Sequence, residues 1–195
     1  MSAPPRLLLA STSPQRRAIL EQLRIPFDVV APEYEEVDPP GADAVELVRA
    51  HALEKARSVA GEAKGRPVLA VDTTVALDGR LYGKAADAAE AALMLSALGG
   101  ETHIVVSGLC VLTEEWKLVE HDATRVTFRE LGERDVAAYV AAGEWEGRAG
   151  AYAIQGLGAS LVTSVEGDYL NVVGLPGALL VRVLAERFPG AYGFG

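Results

Sequence analysis

Four consecutive apolar residues, Leu7-Leu8-Leu9-Ala10, run directly into Ser11-Thr12-Ser13-Pro14. No other feature constrains the fold as tightly. A strand that is apolar at every position has no face to offer water, so both of its faces must be covered. Ser13 suits a helix N-cap, and Pro14 suits the first helical turn, where its missing N–H costs nothing. The unit is a buried strand, a hydroxyl-rich turn and a helix, which calls for helices layered on a sheet.

The remaining chain extends that pattern. Arg6–Ala10 is expected as a strand and Pro14–Arg24 as a helix with Ala18, Ile19 and Leu23 inward. Phe27–Ala31 follows as a strand, then an acidic loop over Pro32–Gly41. Ala44–Ala63 has the helical spacing of an amphipathic segment, with Val45, Val48, Ala52, Ala56 and Val59 on one face. Val68–Val71 reads as a strand, and Thr74–Leu77 leads to a hairpin turn at Asp78-Gly79. A helix over Asp87–Leu98 is capped by Asp87 and closed by Gly99-Gly100. Strands are expected at His103–Leu112, Lys117–Arg129 and Ala159–Val165 and helices at Glu133–Ala142 and Leu175–Phe188, with Gly143–Gly158 irregular. The result is a mixed α/β chain, read as one domain over residues 1–195 with two lobes and a cleft.

Composition narrows the function classes. Of 195 residues, 50% are hydrophobic and 23% charged, which is too apolar for a disordered chain. Lys and Arg number 18 against 27 Asp and Glu, a net charge of −9 that argues against a duplex-binding surface. No apolar run approaches the roughly 20 residues that span a bilayer. The run at Leu7–Ala10 is too short for a signal-peptide core, so a cytoplasmic location is expected. The single cysteine, Cys110, sits in an apolar strand and reads as core. His51, His103 and His121 form no metal spacing and are given structural or surface roles.

Several segments carry polar groups suited to chemistry. Ser11–Arg17 combines a helix start, hydroxyls and two arginines, which is suited to an anion and reads equally as a capped helix with solvated arginines. Asp72 follows a buried strand, where it can hold a metal, act on water or simply end the strand in a turn. Lys55 lies inside the apolar stripe of its helix, either snorkelling to water or projecting into a cleft. Lys84 shares that ambiguity. Glu33, Glu35, Glu36 and Asp38 make an acidic cluster, mostly a solvated loop, of which a metal site needs one or two members near Asp72. Gly150–Gly158 is glycine-rich, but it lacks the dinucleotide fingerprint, and no phosphate-binding Walker sequence is present.

In order and spacing, these segments resemble the Maf family of nucleoside triphosphate pyrophosphatases, from about Leu7 to Leu184. The resemblance rests on Leu-Ala-Ser-Thr-Ser-Pro-Gln-Arg-Arg, Glu54-Lys55-Ala56, Ala70-Val71-Asp72-Thr73, Gly83-Lys84 and Val126–Arg129, and further on Ala149–Gly156, Gly167–Tyr169 and Val172–Pro176. It implies an elongated α/β fold with a cleft, similar to the inosine triphosphate pyrophosphatases. It also implies hydrolysis of a nucleoside triphosphate to the monophosphate and pyrophosphate with a divalent cation, Mg²⁺ or Mn²⁺.

Carried over residue by residue, Asp72 matches the family's general base and Glu36 its acidic catalytic or metal position. Ser13, Arg16, Lys55 and Lys84 match phosphate-contacting positions. Asp72 and Glu36 together would hold the cation, or Asp72 would take a proton from water; the sequence leaves both open. Thr73 and Gln155 match the type acting on dTTP, UTP and CTP, whereas Gln15 stands where that type usually has Arg. The resemblance brings two alternatives, specificity for 7-methyl-GTP and a nucleotide-binding regulator of septum formation that works through a partner. It leaves room for a homodimer, with no nucleic acid or membrane partner.

Overall fold

The computed structural model describes residues 4–39 and 41–194. Met1–Ala3 and Gly195, the ends of the expected domain, and Pro40 of the acidic loop lie outside the described residues. Among the described residues no helix is long and apolar enough to cross a membrane.

Among the described residues, seven strands form one mixed sheet: β1 (Leu7–Ala10), β2 (Phe27–Val30), β3 (Val68–Leu77), β4 (Arg80–Tyr82), β5 (Thr102–Leu112), β6 (Lys117–Phe128) and β7 (Val162–Glu166). The order is β2-β1-β3-β5-β6-β7, with β4 paired to β3 alone. The β2-β1-β3 portion is parallel, and everything beyond β3 is antiparallel.

The helices are α1 (Pro14–Gln22), α2 (Ala44–Ser58), α3 (Ala88–Leu98), α4 (Glu133–Ala141), α5 (Tyr169–Val173) and α6 (Gly177–Arg187). Alternation along the apolar strands sorts the core. Leu7, Leu9, Leu69 and Val71 pack with α1 and α6 residues such as Ile19 and Leu180. Leu8, Ala10, Val68, Ala70 and Cys110 pack with Ala52 and Ala56 of α2 on the opposite face. Both faces are covered, which is why these runs are apolar throughout. A separate cluster around Leu95, Val126, Phe128, Val136 and Tyr152 fills the second lobe, reached by the far ends of β3, β5 and β6. The two-lobed mixed α/β expectation agrees with this layout.

Several expectations need correction. Ala18 faces solvent and Leu20 is buried in its place. The long second helix stops at Ser58 and continues as a 3₁₀ turn, Ala60–Glu62. Gly156–Leu161 is also a 3₁₀ turn, so β7 begins later than the apolar pattern suggested. A five-residue helix, α5, was not expected, because it is too short to show periodicity. Asp168 caps it through Leu170 N–H and also accepts from Ala178 N–H at the start of α6.

The most consequential correction concerns β3. It does not end before Asp72 but runs unbroken from Val68 to Leu77 against β5. Its other edge pairs with β1 only at Val68 and Leu69, and with β4 only from Val75. Between them, Ala70–Thr74 has no strand partner on that edge among the described residues. The sheet therefore carries a gap centred on Asp72, just past the end of a parallel strand, the location where α/β sheets bind ligands.

Candidate active site

A cleft of about 680 Å³ opens at this gap, a size typical of small-molecule sites. Ser13, Gln15, Arg16, Glu36, Lys55, Asp72, Thr73, Lys84 and Gln155 all line it. Residues nominated from scattered sequence segments thus converge on one site.

The floor is a charged trio. Lys55 Nζ donates to Asp72 Oδ1 at 2.5 Å and also contacts Glu36 Oε1. Lys55 and Asp72 are 6% and 7% exposed, so Lys55 does not snorkel to water. Its contact with Asp72 depends on how closely α2 approaches the sheet. Gly108 pairs with Asp72 across the β3–β5 ladder, and a β-carbon there would lie 2.2 Å from the Val48 carbonyl oxygen. Only glycine lets the helix backbone lie so close.

Lys84 Nζ lies 3.5 Å from the other Glu36 oxygen and is largely exposed. Burial pushes the Glu36 carboxyl up, but the Lys55 hydrogen bond and the charges of Lys55 and Lys84 outweigh it and hold the group below the usual carboxylate range. Glu36 is therefore a carboxylate at neutral pH. Glu33, Glu35 and Val37 face solvent, so a single member of the acidic cluster reaches the trio.

The rim beside it is the start of α1. Ser13 Oγ accepts Arg16 N–H at 3.4 Å and donates to Gln15 Oε1. The Arg16 guanidinium donates to the Gly174 carbonyl at 2.9 Å, to Ser11 Oγ at 3.2 Å and to Thr73 Oγ1 at 3.3 Å. Burial lowers its pKa from the usual arginine value, and Asp72 and Glu36 work against that. The unexpected helix α5 matters here, because its C-terminal end presents the Gly174 carbonyl. Three of the five guanidinium N–H donors are used, leaving two for a ligand. Thr73 is also hydrogen-bonded to Ser107, so its hydroxyl orients Arg16.

The opposite wall is Glu144–Gly156. Tyr139 OH accepts Ala153 N–H, and Glu144 accepts N–H groups from Leu157 and Gly158. Gly158 is compulsory, since a β-carbon there would sit 1.8 Å from the Ala153 carbonyl oxygen. Gln155 is exposed on this wall. Tyr152 is anchored from behind by His103 at 2.9 Å. Sequence reasoning missed Glu144, Tyr139 and this role of His103. They act through main-chain amides and long-range contacts, for which sequence spacing carries no signal.

A profile described as Maf-like protein matches residues 6–187. The chain belongs to this Maf-like family. A "dTTP/UTP pyrophosphatase" of Nitratidesulfovibrio vulgaris is 50% identical over 183 residues, covering 93% of this chain and 87% of that protein. A protein of the same name from Deinococcus radiodurans is 44% identical over 193 residues, covering 97% and 96%. Among solved structures, the Ham1 protein of Staphylococcus aureus is a distant likeness, with TM-score 0.42 and 12% identity over 64% of this Maf-like chain and 72% of that one.

The cation that the family resemblance implies can be tested against the residues present. Among the described residues, no three of His, Cys, Asp and Glu gather to hold a metal unaided. Glu36 and Asp72, drawn together by one ammonium, do fit Mg²⁺. That ion is commonly bound by one or two carboxylates, with substrate phosphates and water completing its shell.

Proposed function

We propose that this Maf-like protein hydrolyses a nucleoside triphosphate, with dTTP and UTP as substrates, to the monophosphate and pyrophosphate. The observation that carries this reading is the Asp72–Lys55–Glu36 trio on the floor of a cleft whose rim is a helix start with a half-buried arginine. The names borne by the relatives supply the substrate.

A triphosphate carries about four negative charges that repel an attacking water, so a catalyst must neutralise and orient it. The two unused Arg16 donors and the α1 N-terminus bind phosphate oxygens. Lys55 spends two of its three N–H donors on Asp72 and Glu36, keeping both carboxylates close without mutual repulsion, and its third, with no partner among the described residues, is left for the substrate. Lys84, exposed at the mouth, neutralises charge on the departing pyrophosphate.

Asp72 and Glu36 would hold a divalent cation, which supplies further neutralisation of the phosphates when bound. Asp72 Oδ2 is not engaged by a protein donor among the described residues and is placed to bind that cation or to take the proton of water. The water oxygen then bonds to the α-phosphorus as the bond to the bridging oxygen breaks. Gln15 and Gln155 both line the cleft and supply neutral amides for a base or ribose.

The test is product analysis with dTTP, UTP, CTP and 7-methyl-GTP, each with Mg²⁺ or Mn²⁺. Pyrophosphate release, fastest from dTTP and UTP and slowed about 10²–10³-fold in Asp72→Asn, is expected. Orthophosphate as the first product, or equal rates in Asp72→Asn, would overturn the reading.

A further inference from the structure

The segment bearing Glu36 has no regular secondary structure, yet it is held in a defined way. Tyr34, Glu36 and Asp38 alternate along it, and all three side chains meet α2. Tyr34 OH lies 2.9 Å from His51 Nδ1, and Asp38 Oδ1 lies 3.0 Å from His51 Nε2. Glu36, between them, meets Lys55. His51 and Lys55 are four residues apart and so share one face of α2. His51 is 3% exposed, and the Tyr34 ring lies tilted against its imidazole with centroids 5.6 Å apart.

The donor and acceptor assignments are consistent with one direction. The Asp38 carboxylate can only accept, so His51 Nε2 donates to it, and Nδ1, the other ring nitrogen, pairs with the Tyr34 hydroxyl.

We infer that His51 is a positioning residue: by gripping the acidic segment on both sides of Glu36, it sets where the Glu36 carboxylate meets Lys55 and Asp72. The need is physical. Fixing irregular backbone costs conformational entropy at every residue. The alternate side chains of this segment, including the largely exposed Val37, turn outward and bury little apolar surface to offset that cost. The two hydrogen bonds to one buried imidazole supply the anchoring.

This inference rests on the proposed hydrolysis, in which Glu36 takes part. Its test uses Tyr34→Phe, which keeps the ring and removes one bond, and His51→Gln, each alone and combined with Glu36→Gln. Each single variant is expected to lower kcat about tenfold, as removing an orienting partner does, with KM within about twofold. In the Glu36→Gln background the same changes should add less than about twofold, because the residue they position is gone. Unchanged kcat in both single variants, or an undiminished tenfold loss without Glu36, overturns the inference.

A second readout needs no activity. Cleavage by a glutamate-specific protease at Glu33, Glu35 or Glu36 should quicken about tenfold in His51→Gln, and unchanged cleavage counts against the grip. If the wild-type protein releases no pyrophosphate, the proposed hydrolysis fails on its own, while the cleavage result still decides whether His51 holds the segment.

Discussion

The two walls of the cleft are held together by different means. On the first, four separate elements each contribute a polar side chain, and those side chains bond chiefly to one another. Arg16 from α1 holds Thr73 of β3, and Lys55 from α2 holds Asp72 and Glu36. On the second, one continuous segment is pinned through its own backbone by Tyr139 and Glu144. Removing a charge from the first wall uncouples its partners, whereas a change on the second moves a surface. Under the proposed function, the first is the wall of chemistry and the second the wall of recognition.

The sharpest break between them comes from Lys55→Met. Asp72 and Glu36 would lose the cation between them, and the rate should fall about 10²–10³-fold. The pH profile should move as well. Lys55 holds the Glu36 carboxyl below its usual range against burial, so its removal lets burial raise that pKa. The acid limb of kcat/KM against pH should then shift to higher pH, and an unmoved limb would show that Glu36 is not coupled to Lys55.

Next in size is a stability effect behind the second wall. Burial pushes His103 down from 6.5 to about 4. Between those values the unfolded chain takes up a proton that the folded one refuses. The stabilisation is thus present above pH 6.5 and is lost as pH falls through about 4. Its size is on the order of 3 kcal/mol. His103→Phe should flatten this dependence in urea unfolding measured across that range, even though the Tyr152 hydroxyl loses its partner and the baseline drops. Parallel curves for the two proteins would contradict the assignment.

The smallest effect should come from Glu144→Gln. It weakens the grip on the Leu157 and Gly158 amides while leaving every charge of the first wall in place. Steady-state kinetics should show KM raised about tenfold, the effect of one charge-assisted hydrogen bond, and kcat within about twofold. A large loss of kcat would erase the distinction between the walls.

Much of the first wall was legible because its residues mark the ends of elements with strong local signals. Ser13-Pro14 announces a helix start, and Lys55 interrupts an apolar stripe. Asp72 drew attention for a reason the structure corrects. Its strand continues, and the opening comes from neighbours that stop short on one edge, a property of pairing that no single segment encodes. The Arg16–Thr73 bond joins positions 57 apart, and the grip of His51 on Tyr34 and Asp38 joins a helix to an aperiodic loop. Neither leaves a period to read. The net charge of −9 does not carry into the cleft, where Arg16, Lys55, Lys84 and Arg148 stand with Glu36, Asp72, Glu144 and Glu146, while most carboxylates of the 33–38 segment face water.

The division between the walls is tested most directly by a crystal structure of Asp72→Asn with dTTP and Mg²⁺. Phosphate oxygens are expected within hydrogen-bond distance of Arg16 and the α1 N-terminus, with the base against the Gln155 segment. Phosphates lodged on the Glu144–Gly156 wall, with the base beside Arg16, would contradict it.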